Sequence, residues 1–451
     1  MTRTFAIKSY GCQMNVYDAE RMAESLVADG FVEAEEGAAD IVVFNTCHIR
    51  EKAADKLYSE VGRTVSKAGD AGRAKPVIAV VGCVAQAEGA EIAVRARAVN
   101  LVVGPQAYHR LPAMLRDQEK SGAAGRNALV DIDMPKASKF DALPARTRRA
   151  PSAFLTIQEG CDKFCSFCVV PYTRGAETDR PMAAILAEAA TLAQGGAREI
   201  TLLGQNVNAW ADPVAKTQDF GVLLASVAAL PGVERLRYMT SHPRDVTQAM
   251  VRAHAEIPEL MPYLHLPVQA GADRTLAAMN RRHDVAFYMG LIQRFRDARP
   301  DLAITSDFIV GFPGETEADF QATIDIVETV GYAQAFSFKY SPRLGTPAAE
   351  RADQVDEAVK SARLHRLQAA ISAQALAFNR RTLGLECDIL IERRGRKAGQ
   401  WIGKSPWLQS VVVNGDFAIG DLARVEMVAA WPNSMEGRLM MAVEHEAVSA
   451  W

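Results

Sequence analysis

The feature that most constrains this chain is a short loop with three cysteines, Cys161, Cys165 and Cys168, in the spacing C-x3-C-x2-C. Three thiolates can bind three irons of a 4Fe-4S cluster and leave the fourth iron without a protein ligand, whereas electron-transfer ferredoxins supply four cysteines. An iron that is open in this way can bind a substrate. The alternative is a structural zinc site, but zinc would need a fourth Cys or His nearby, and none follows Cys168 at ligand spacing.

With Phe167 directly before its last cysteine, the loop resembles the signature of the radical S-adenosylmethionine (radical SAM) enzymes. The resemblance implies that Cys161, Cys165 and Cys168 hold a 4Fe-4S cluster whose open iron binds the amino and carboxylate groups of S-adenosylmethionine. It also implies that one electron from the cluster cleaves the sulfonium, which gives methionine and a 5′-deoxyadenosyl radical able to abstract hydrogen from unreactive C–H bonds. We therefore expect an enzyme whose protein part positions the substrates and excludes water.

Three further cysteines each close an apolar, strand-like run. Cys12, Cys47 and Cys83 are separated by 35 and 36 residues, about the length of one strand, one helix and two connections. Residues 18–29 and 51–68 fit helices between them. Because the carboxyl ends of parallel strands meet at one edge of a sheet, the three thiols can converge there. The alternative is that all three are ordinary buried cysteines.

The residues around these cysteines favour convergence at a shared site. Residues 10–15 (YGCQMN), 45–47 (NTC) and 82–86 (GCVAQ) resemble the N-terminal motifs of the methylthiotransferases, a branch of the radical SAM enzymes. The resemblance implies that Cys12, Cys47 and Cys83 hold a second, auxiliary 4Fe-4S cluster that also has an open iron. Cys387 lies in a strand-like run without such a context, and we expect it to be a small core residue.

The organisation of the chain predicts an α/β protein with three domains. We expect an N-terminal parallel α/β domain over residues 1–115, a linker over 116–150, a radical SAM domain over 151–379 and a small all-β domain over 380–451. Between residues 151 and 379, strand-like runs alternate with helical ones at residues 153–158, 199–203, 235–240, 263–268, 303–310 and 335–340. Six such units match the partial (β/α)6 barrel that the resemblance implies.

Further candidate residues lie where these predicted strands end. In a β/α barrel the reactive loops follow the carboxyl ends of the strands, and the three-cysteine loop follows the first of them. The ends of the later strands should therefore surround the cofactor. The candidates for contact with S-adenosylmethionine are Gln205, Asn206, Ser241, Gln269 and Gly311. For a glycine the alternative is simple turn geometry, because strand-to-helix loops often use glycine.

Beyond residue 380 the pattern becomes nearly all strand. Five short strand-like runs are separated by turn residues, at residues 387–391, 400–403, 409–413, 422–428 and 439–445. They fit a small barrel of the oligonucleotide-binding (OB-like) type. Residues 403–406 (GKSP) and 409–411 (QSV) resemble the TRAM domain of tRNA methylthiotransferases, which implies that this domain binds RNA.

The overall charge argues against a general attraction to RNA. A net charge of −3 and an isoelectric point near 6.3 give no attraction to phosphate over the whole surface. Local basic groups must supply the contacts, although each group alone is more often a solvated face. The candidates are Arg146, Arg148, Arg149, Arg281, Arg282, Arg380, Arg381, Arg393, Arg394, Arg396 and Lys397.

The N-terminus begins with a polar, strand-like run, and we see no signal peptide. No apolar stretch approaches the roughly 18 residues that a membrane span needs. We therefore expect a cytoplasmic protein without a membrane partner, and a monomer. Seven cysteines, an odd number, favour reduced thiols and metal ligation over a disulfide framework.

Two segments resemble one group of methylthiotransferases in particular. Residues 45–53 (NTCHIREKA) and 166–175 (SFCVVPYTRG) look most like the group that modifies tRNA carrying N6-dimethylallyladenosine next to the anticodon. The resemblance implies that a methylthio group replaces the hydrogen on carbon 2 of this adenosine, to give 2-methylthio-N6-dimethylallyladenosine. One S-adenosylmethionine would methylate sulfur at the auxiliary site, and a second would supply the radical. The implied partners are the tRNA anticodon loop, an electron donor such as flavodoxin or ferredoxin, and a sulfur or cluster donor.

Other functions remain open on the sequence. Two related methylthiotransferases share the same three-domain plan: one acts on threonylcarbamoyladenosine in tRNA, and the other on ribosomal protein S12. A function of another class is a non-enzymatic iron-sulfur regulator that binds RNA. Such a regulator would not need a β/α barrel with a three-cysteine loop, and it would leave S-adenosylmethionine intact.

Overall fold

The structure, a computed structural model, describes residues 3–48, 51–121, 128–135, 139–216 and 219–440. It confirms the predicted fold class: a parallel α/β sheet is followed by a β/α barrel-like part and then by a closed β-barrel. Within the described ranges, no helix has both the length and the apolar composition that crossing a membrane requires.

The N-terminal part is built on six parallel strands: β1 Thr4–Tyr10, β2 Val32–Glu33, β3 Ile41–Thr46, β4 Val77–Gly82, β5 Val99–Val103 and β6 Leu129–Asp131. They form one sheet in the order β2-β1-β3-β4-β5-β6. Its helices are α1 Gln13–Ala28, α2 Glu51–Asp70, α3 Cys83–Glu88, α4 Glu91–Arg95 and α5 Leu111–Ser121. β3 and β4 lie in the middle of the sheet and are rich in buried β-branched residues, as parallel sheets covered on both faces require.

Helix α1 begins five residues earlier than the sequence pattern predicted. The prediction placed the helix over residues 18–29, but it starts at Gln13 with Cys12 as its N-cap residue. The side-chain oxygen of Asn15 accepts a hydrogen bond from the backbone N–H of Cys12 at 3.2 Å, which caps the helix end. Asp18 is buried instead of solvated. The cap therefore fixes Cys12 between a strand end and a helix start.

The stretch predicted as a linker, residues 116–150, contains regular structure. It includes the end of α5, and β6 pairs with β5 as the outermost strand of the N-terminal sheet. Its basic end is also ordered by contacts, because Arg146 is nearly buried and pairs with Glu20 at 2.8 Å and with Glu188 at 3.4 Å. Arg146 was predicted to contact phosphate, and this is wrong, because its guanidinium pairs with carboxylates between the N-terminal part and the central part.

The central part contains eight strands: β7 Ser152–Thr156, β8 Gln158–Glu159, β9 Thr178–Asp179, β10 Glu199–Leu203, β11 Arg235–Tyr238, β12 Tyr263–His265, β13 Ala303–Val310 and β14 Gln334–Lys339. β8 and β9 form a small antiparallel pair. The other six coincide with the six predicted strands and form two parallel sheets, β11-β10-β7 and β12-β13-β14. A bridge between Leu236 and Leu260 connects the sheets into one curved, open barrel.

The helices of this part are α6 Val170–Arg174, α7 Met182–Gln194, α8 Phe220–Ala228, α9 Gln248–Glu256, α10 Asp273–Ala278, α11 Val285–Ala298, α12 Glu317–Val330 and α13 Glu357–Arg381. All of them except the short α6 and α10 cover the outside of the barrel. Alternate strand residues such as Ile200, Leu264 and Phe308 pack outward into a continuous apolar layer beneath the helices. The residues between them face inward and line the barrel lumen.

The C-terminal part is a closed barrel of five strands: β15 Glu386–Arg394, β16 Gln400–Lys404, β17 Ser410–Asn414, β18 Leu422–Trp431 and β19 Ser434–Leu439. The first four agree with the predicted strands. The fifth was predicted at residues 439–445 and is wrong, because Pro432 and Asn433 turn the chain directly from β18 into β19. Residues 441–445 of that prediction lie outside the described part of the chain. Within β19, Met435 fills the barrel core.

Two buried arginines attach the C-terminal barrel to the bottom of the central one. Arg235 donates to the carbonyls of Asp388 and Lys404 at 2.7 and 2.9 Å. Arg237 donates to the carbonyls of Ser405 and Pro406 at 2.9 and 2.7 Å. Backbone carbonyls of the C-terminal barrel are thereby paired with side chains of β11. The loop that follows β16 consequently closes the amino-terminal end of the lumen.

We predict that Arg237→Leu loosens the C-terminal barrel from the central part. The change leaves two carbonyls without donors and removes the 3.1 Å ion pair with buried Glu199, and breaking a buried pair typically costs about 3 kcal/mol. Hydrogen exchange measured by mass spectrometry should become faster across residues 386–440. The control is Arg424→Leu, whose side chain is 52% exposed in its pair with Glu386 and should change little. Equal exchange in both variants would contradict this account of the docking.

Candidate active site

The three-cysteine loop follows β8 near the carboxyl end of the first barrel strand. Its backbone is held by the segment after α10: the Asn280 side-chain amide donates to the Phe164 carbonyl at 2.8 Å, and the Ser166 N–H donates to the Met279 carbonyl at 3.0 Å. Phe164 has a φ of 47°, a left-handed conformation that is costly for a residue with a side chain. Tertiary contacts therefore hold the loop in a shape that it would not keep alone.

The thiols of this loop suit a positively charged centre better than they suit free thiolates. Burial raises the pKa of Cys161 to about 11 and that of Cys168 to about 12, because a buried thiolate loses its hydration. The guanidinium of Arg281 donates to Sγ of Cys165 at 3.6 Å. A metal centre deprotonates its thiol ligands through its own charge. An iron cluster therefore fits this donor set.

Two of the predicted S-adenosylmethionine residues lie directly against the cysteine loop. The side-chain oxygen of Gln205 accepts from the N–H of Gly160, next to Cys161, at 2.7 Å. The Asn206 amide donates to Asp245 at 2.8 Å, and Asp245 in turn pairs with Lys163 of the loop at 2.8 Å. The end of β10 is thus tied to the loop through side chains.

Unpaired polar atoms mark the same place. Within the described residues, the side-chain oxygens of Asn206 and Ser241 are buried and have no hydrogen-bond partner. Buried polar atoms are nearly always paired in folded proteins, so each exception requires an explanation. Both atoms lie at the ends of neighbouring strands, β10 and β11. A polar ligand such as S-adenosylmethionine fits this pair of acceptors.

The remaining two candidates lie on the other half of the barrel. Gln269 has a φ of 79° and is joined to β13 by backbone hydrogen bonds with Asp307 and Ile309. Gly311 has a φ of 71°, and a Cβ at this position would lie 2.3 Å from Cγ of Lys360. The N–H of Gly311 donates a hydrogen bond to the Glu315 carboxylate. The missing side chain allows Gly311 to pack closely against Lys360 of α13. The left-handed backbone and the close approach of Lys360 therefore explain why residue 311 is a glycine.

The other three cysteines come together at the carboxyl edge of the N-terminal sheet. Tyr10 of β1 lies beside Thr46 of β3, which lies beside Gly82 of β4. Cys47 and Cys83 are the residues that follow two of these positions, and Cys12 follows the third after one glycine. That glycine, Gly11, allows a close approach, because a Cβ there would lie 2.6 Å from Cβ of Cys47. The register of the strands thus produces the predicted convergence.

One arginine from the segment after the three-cysteine loop lies near the N-terminal cysteines. Arg174 ends α6, six residues after Cys168, yet its guanidinium interacts electrostatically with Cys12 and Cys83 of the N-terminal sheet. A hydrogen bond with Cys47 is the largest cause that lowers the pKa of Cys12 to about 6, and the charge of Arg174 adds to it against the opposing effect of burial. The hydrogen bond and the nearby guanidinium therefore favour the thiolate form of Cys12.

Arg174 is itself held by a buried network of charges. It donates to Asp18 at 2.6 Å and to Glu159 at 2.9 Å, and Lys139 pairs with the same Glu159 at 2.8 Å. All four side chains are at most 4% exposed. Removal of any one of these side chains is destabilising, because it leaves an uncompensated charge in the protein interior. The sequence analysis did not identify any of the four residues as part of a buried ion network, since nothing in a single sequence separates a buried charge from a solvated one.

Cys12 also borders the lumen of the central barrel. Met14 and Tyr17 of α1 pack against inward-facing barrel residues, among them Leu203 and Tyr263, and Cys12 adjoins the same apolar group. Cys12 therefore borders the lumen of the same barrel that carries the three-cysteine loop after β8. In the described part of the chain, no three His, Cys, Asp or Glu side chains are placed to hold a single metal ion. A 4Fe-4S cluster requires something different, because each thiolate binds its own iron.

The predicted RNA-contacting residues divide into buried and exposed groups. Arg281 is buried beside the cysteine loop, so its prediction as a phosphate contact is wrong. Four basic residues at the end of β15 and in the turn that follows it are exposed: Arg393, Arg394, Arg396 and Lys397. Arg282 and Arg380 are exposed as well.

We predict that Arg174→Gln slows alkylation of Cys12 in the metal-free protein. With a pKa of about 6, Cys12 is mostly thiolate at pH 7. Loss of the guanidinium raises that pKa, so the alkylation rate at pH 7 falls and the midpoint of its pH profile moves upward. Peptide mass spectrometry after iodoacetamide treatment measures this rate, with Cys161 as an unreactive thiol in the same sample.

The matched control is Arg146→Gln. It also removes a buried arginine between the two parts of the protein, where Arg146 pairs with Glu20 and Glu188. The rate for Cys12 should then stay close to that of the wild type. An unchanged midpoint in the Arg174 variant would rule out this electrostatic role.

Comparison with protein families matches two parts of the chain. Residues 4–104 match the Uncharacterized protein family UPF0004, and residues 155–327 match the Radical SAM superfamily. Among solved structures, the radical S-adenosylmethionine methyltransferase TsrM from Kitasatospora setae, with cobalamin and a 4Fe-4S cluster bound, superposes with a TM-score of 0.57. At 13% identity over 77% of each chain, this likeness concerns the fold alone.

Curated relatives match the chain over nearly its whole length. The tRNA-2-methylthio-N(6)-dimethylallyladenosine synthase of Novosphingobium aromaticivorans is 58% identical, with 97% of both chains covered. The proteins of the same name from Erythrobacter litoralis and Zymomonas mobilis are 57% and 56% identical, with 98% and 97% of this chain and 98% and 96% of their own chains covered. The chain is a radical SAM enzyme and belongs to the family of tRNA-2-methylthio-N(6)-dimethylallyladenosine synthases.

Proposed function

We propose that this protein methylthiolates N6-dimethylallyladenosine next to the anticodon of tRNA and produces 2-methylthio-N6-dimethylallyladenosine. The single observation that carries the proposal is that Cys12, one of the three N-terminal cysteines, borders the lumen of the barrel that carries the three-cysteine loop at the carboxyl end of its first strand. A reaction that joins sulfur to an unreactive carbon needs a sulfur site and a radical site within reach of one substrate. The names of the relatives support the choice of substrate.

The cofactors that we propose are two 4Fe-4S clusters and S-adenosylmethionine. Cys161, Cys165 and Cys168 would hold the radical SAM cluster, and Cys12, Cys47 and Cys83 the auxiliary one. When bound, these groups supply a 5′-deoxyadenosyl radical that takes the carbon 2 hydrogen, together with a sulfur that carries the methyl group from a second S-adenosylmethionine. The protein provides binding, orientation and exclusion of water.

The chain's own residues have distinct tasks in this proposal. Asn206 and Ser241 present buried acceptors that can bind the polar parts of S-adenosylmethionine. Gln205 and the Asp245–Lys163 pair keep that strand end fixed to the cysteine loop. We propose that Gln269 shapes the opposite wall through its left-handed backbone. A fixed geometry of this kind reduces the motion that must be lost before reaction.

The remaining partners follow from the same proposal. The C-terminal barrel would act as the TRAM domain and hold the tRNA, with the exposed basic turn between β15 and β16 near the phosphates. An electron donor such as flavodoxin or ferredoxin would reduce the radical SAM cluster, and a separate donor would renew the sulfur. We propose that the protein works in the cytoplasm as a monomer, with the domain limits 1–115, 116–150, 151–379 and 380–451.

We predict a methylthio mass gain on tRNA that carries dimethylallyladenosine after anaerobic incubation of the reconstituted protein with dithionite and S-adenosylmethionine. Nucleoside mass spectrometry measures the gain. Cys161→Ala and Cys12→Ala should each abolish the product, because each removes a ligand of one proposed cluster. Cys387→Ala is the matched control and should retain activity, since Cys387 lies in the core of the C-terminal barrel.

The alternative functions are separate outcomes of the same experiment. A gain only on tRNA with threonylcarbamoyladenosine would keep the chemistry and change the substrate. Cleavage of S-adenosylmethionine without any tRNA product would favour a protein substrate such as ribosomal protein S12. Absence of cleavage would overturn the enzyme function and favour an iron-sulfur regulator that binds RNA.

We predict that iron analysis separates the two clusters without any turnover. The reconstituted wild type should bind about eight irons per chain, and Cys161→Ala and Cys47→Ala should each bind about four, because a three-thiolate site that loses one ligand no longer holds its cluster. Cys387→Ala should keep the wild-type content. An equal iron content in all variants would contradict the ligand assignment.

A further inference from the structure

The half of the barrel formed by β12, β13 and β14 has two faces of opposite character. In parallel strands, residues that lie side by side have side chains on the same face. Asp307 lies beside Phe336 and Ile309 beside Phe338, whereas Phe308 lies beside Ser337. Phe308 packs outward under the helices. Phe336 and Phe338 therefore belong to the inward face, which lines the lumen.

The exposure of the aromatic rings differs between these faces. Phe308 on the outward face is fully buried, whereas Phe336 and Phe338 are 39% and 38% exposed. Two aromatic side chains inside a barrel would ordinarily pack against each other or against neighbouring strands. Here β14 is the last strand of its sheet, so the rings border the open side of the lumen. Solvent-accessible apolar surface inside a lumen indicates a binding site.

Polar groups lie directly beside these rings. The ring centres of His265 and Phe336 are 6.4 Å apart in an edge-to-face arrangement. Nε2 of His265 lies 3.6 Å from the Asp307 carboxylate, and its Nδ1 is hydrogen-bonded to the Thr305 hydroxyl at 2.9 Å. The Asp307 side chain is 28% exposed and therefore accessible from the lumen. We name Phe336, Phe338, His265 and Asp307 the aromatic shelf.

The inward face of β12 relates the aromatic shelf to the apolar group beside Cys12. Along β12, Tyr263 lies two residues before His265 and so shares its inward face. Tyr263 packs in the apolar group that includes Met14 and adjoins Cys12. A molecule that lies on the shelf therefore shares the inward face of Tyr263, whose apolar group extends to Cys12.

We propose that the aromatic shelf binds the N6-dimethylallyl adenine base and selects it by its prenyl group. The inference rests on the proposed function and adds the residues that read the substrate. Bases that leave a nucleic-acid stack are commonly bound on aromatic side chains. Residues two apart in a strand are separated by about 6.6 Å, so the two rings can support a purine and an apolar substituent side by side.

The chemistry of the shelf favours this substituent over a charged one. A dimethylallyl group is apolar and gains by covering the exposed faces of Phe336 and Phe338. A threonylcarbamoyl group carries a carboxylate, which would lie in the same space as the Asp307 carboxylate and be repelled by it. Asp307 can accept a hydrogen bond from the N6–H that remains in dimethylallyladenosine. The shelf therefore distinguishes the two modified adenosines by contact and by charge.

The test is binding of two short anticodon stem-loop RNAs to the full-length reconstituted protein, measured by fluorescence anisotropy without reductant. One RNA carries dimethylallyladenosine and the other unmodified adenosine at the same position. We expect the wild type to prefer the prenylated RNA. Phe336→Ala and Phe338→Ala should weaken binding of the prenylated RNA by about tenfold to a hundredfold, the usual effect of removing a stacking side chain. Binding of the unmodified RNA should change much less.

The matched control is Phe287→Ala, because Phe287 is 45% exposed but lies on the outer helix α11. It should keep the wild-type preference. Since the exposed shelf phenylalanines support little of the core, circular dichroism should show folded variants. A preference that persists in both shelf variants would overturn the inference and leave the proposed function intact. A wild type without any preference and without methylthio product would overturn the proposed function itself.

Discussion

The rest of this structure depends on a buried ion network between the N-terminal sheet and the central barrel. Asp18, Lys139, Glu159 and Arg174 come from four different segments and meet where water is excluded. A buried charge is strongly destabilising when its partner is missing. The N-terminal sheet and the central barrel must therefore lie in the one arrangement that pairs all four charges. Because Arg174 reaches the N-terminal cysteines from the end of the helix that follows the other cysteine loop, this constraint sets the relation between the two candidate clusters.

Enclosure of the lumen follows from the same placement. Helix α1 covers one side with Met14 and Tyr17, and the loop after β16 closes the bottom through Arg235 and Arg237. What remains open is bordered by β14 and its exposed rings. A radical reaction benefits from such a space, because exclusion of water prevents side reactions and strengthens electrostatic contacts. The C-terminal barrel thus closes one end of the lumen, in addition to its proposed binding of RNA.

Much of the fold was predictable, because local patterns and short-range pairing dominate it. The six barrel strands appeared as apolar runs at regular spacing, and the cysteines at strand ends indicated a parallel sheet. The errors occurred at element ends, where a helix cap or a tight turn outweighs the pattern of apolar and acidic residues. Helix α1 begins at Gln13, where Asn15 caps its end, although the sequence pattern suggested a start at Asp18. The last strand of the C-terminal barrel begins at Ser434, since a two-residue turn outweighs the more apolar segment that follows.

The sequence by itself determined the chemistry that this chain can support: the spacing of six cysteines, the alternating β/α units and the small terminal barrel are all local properties. Only the tertiary structure decided which charges are buried and which surfaces face each other. Arg146 and Arg281 resemble surface arginines in the sequence, yet both are buried, and Phe336 resembles a core residue, yet its ring is exposed in the lumen. The physical reason is that burial and pairing arise between segments far apart in the chain, where no local pattern records them.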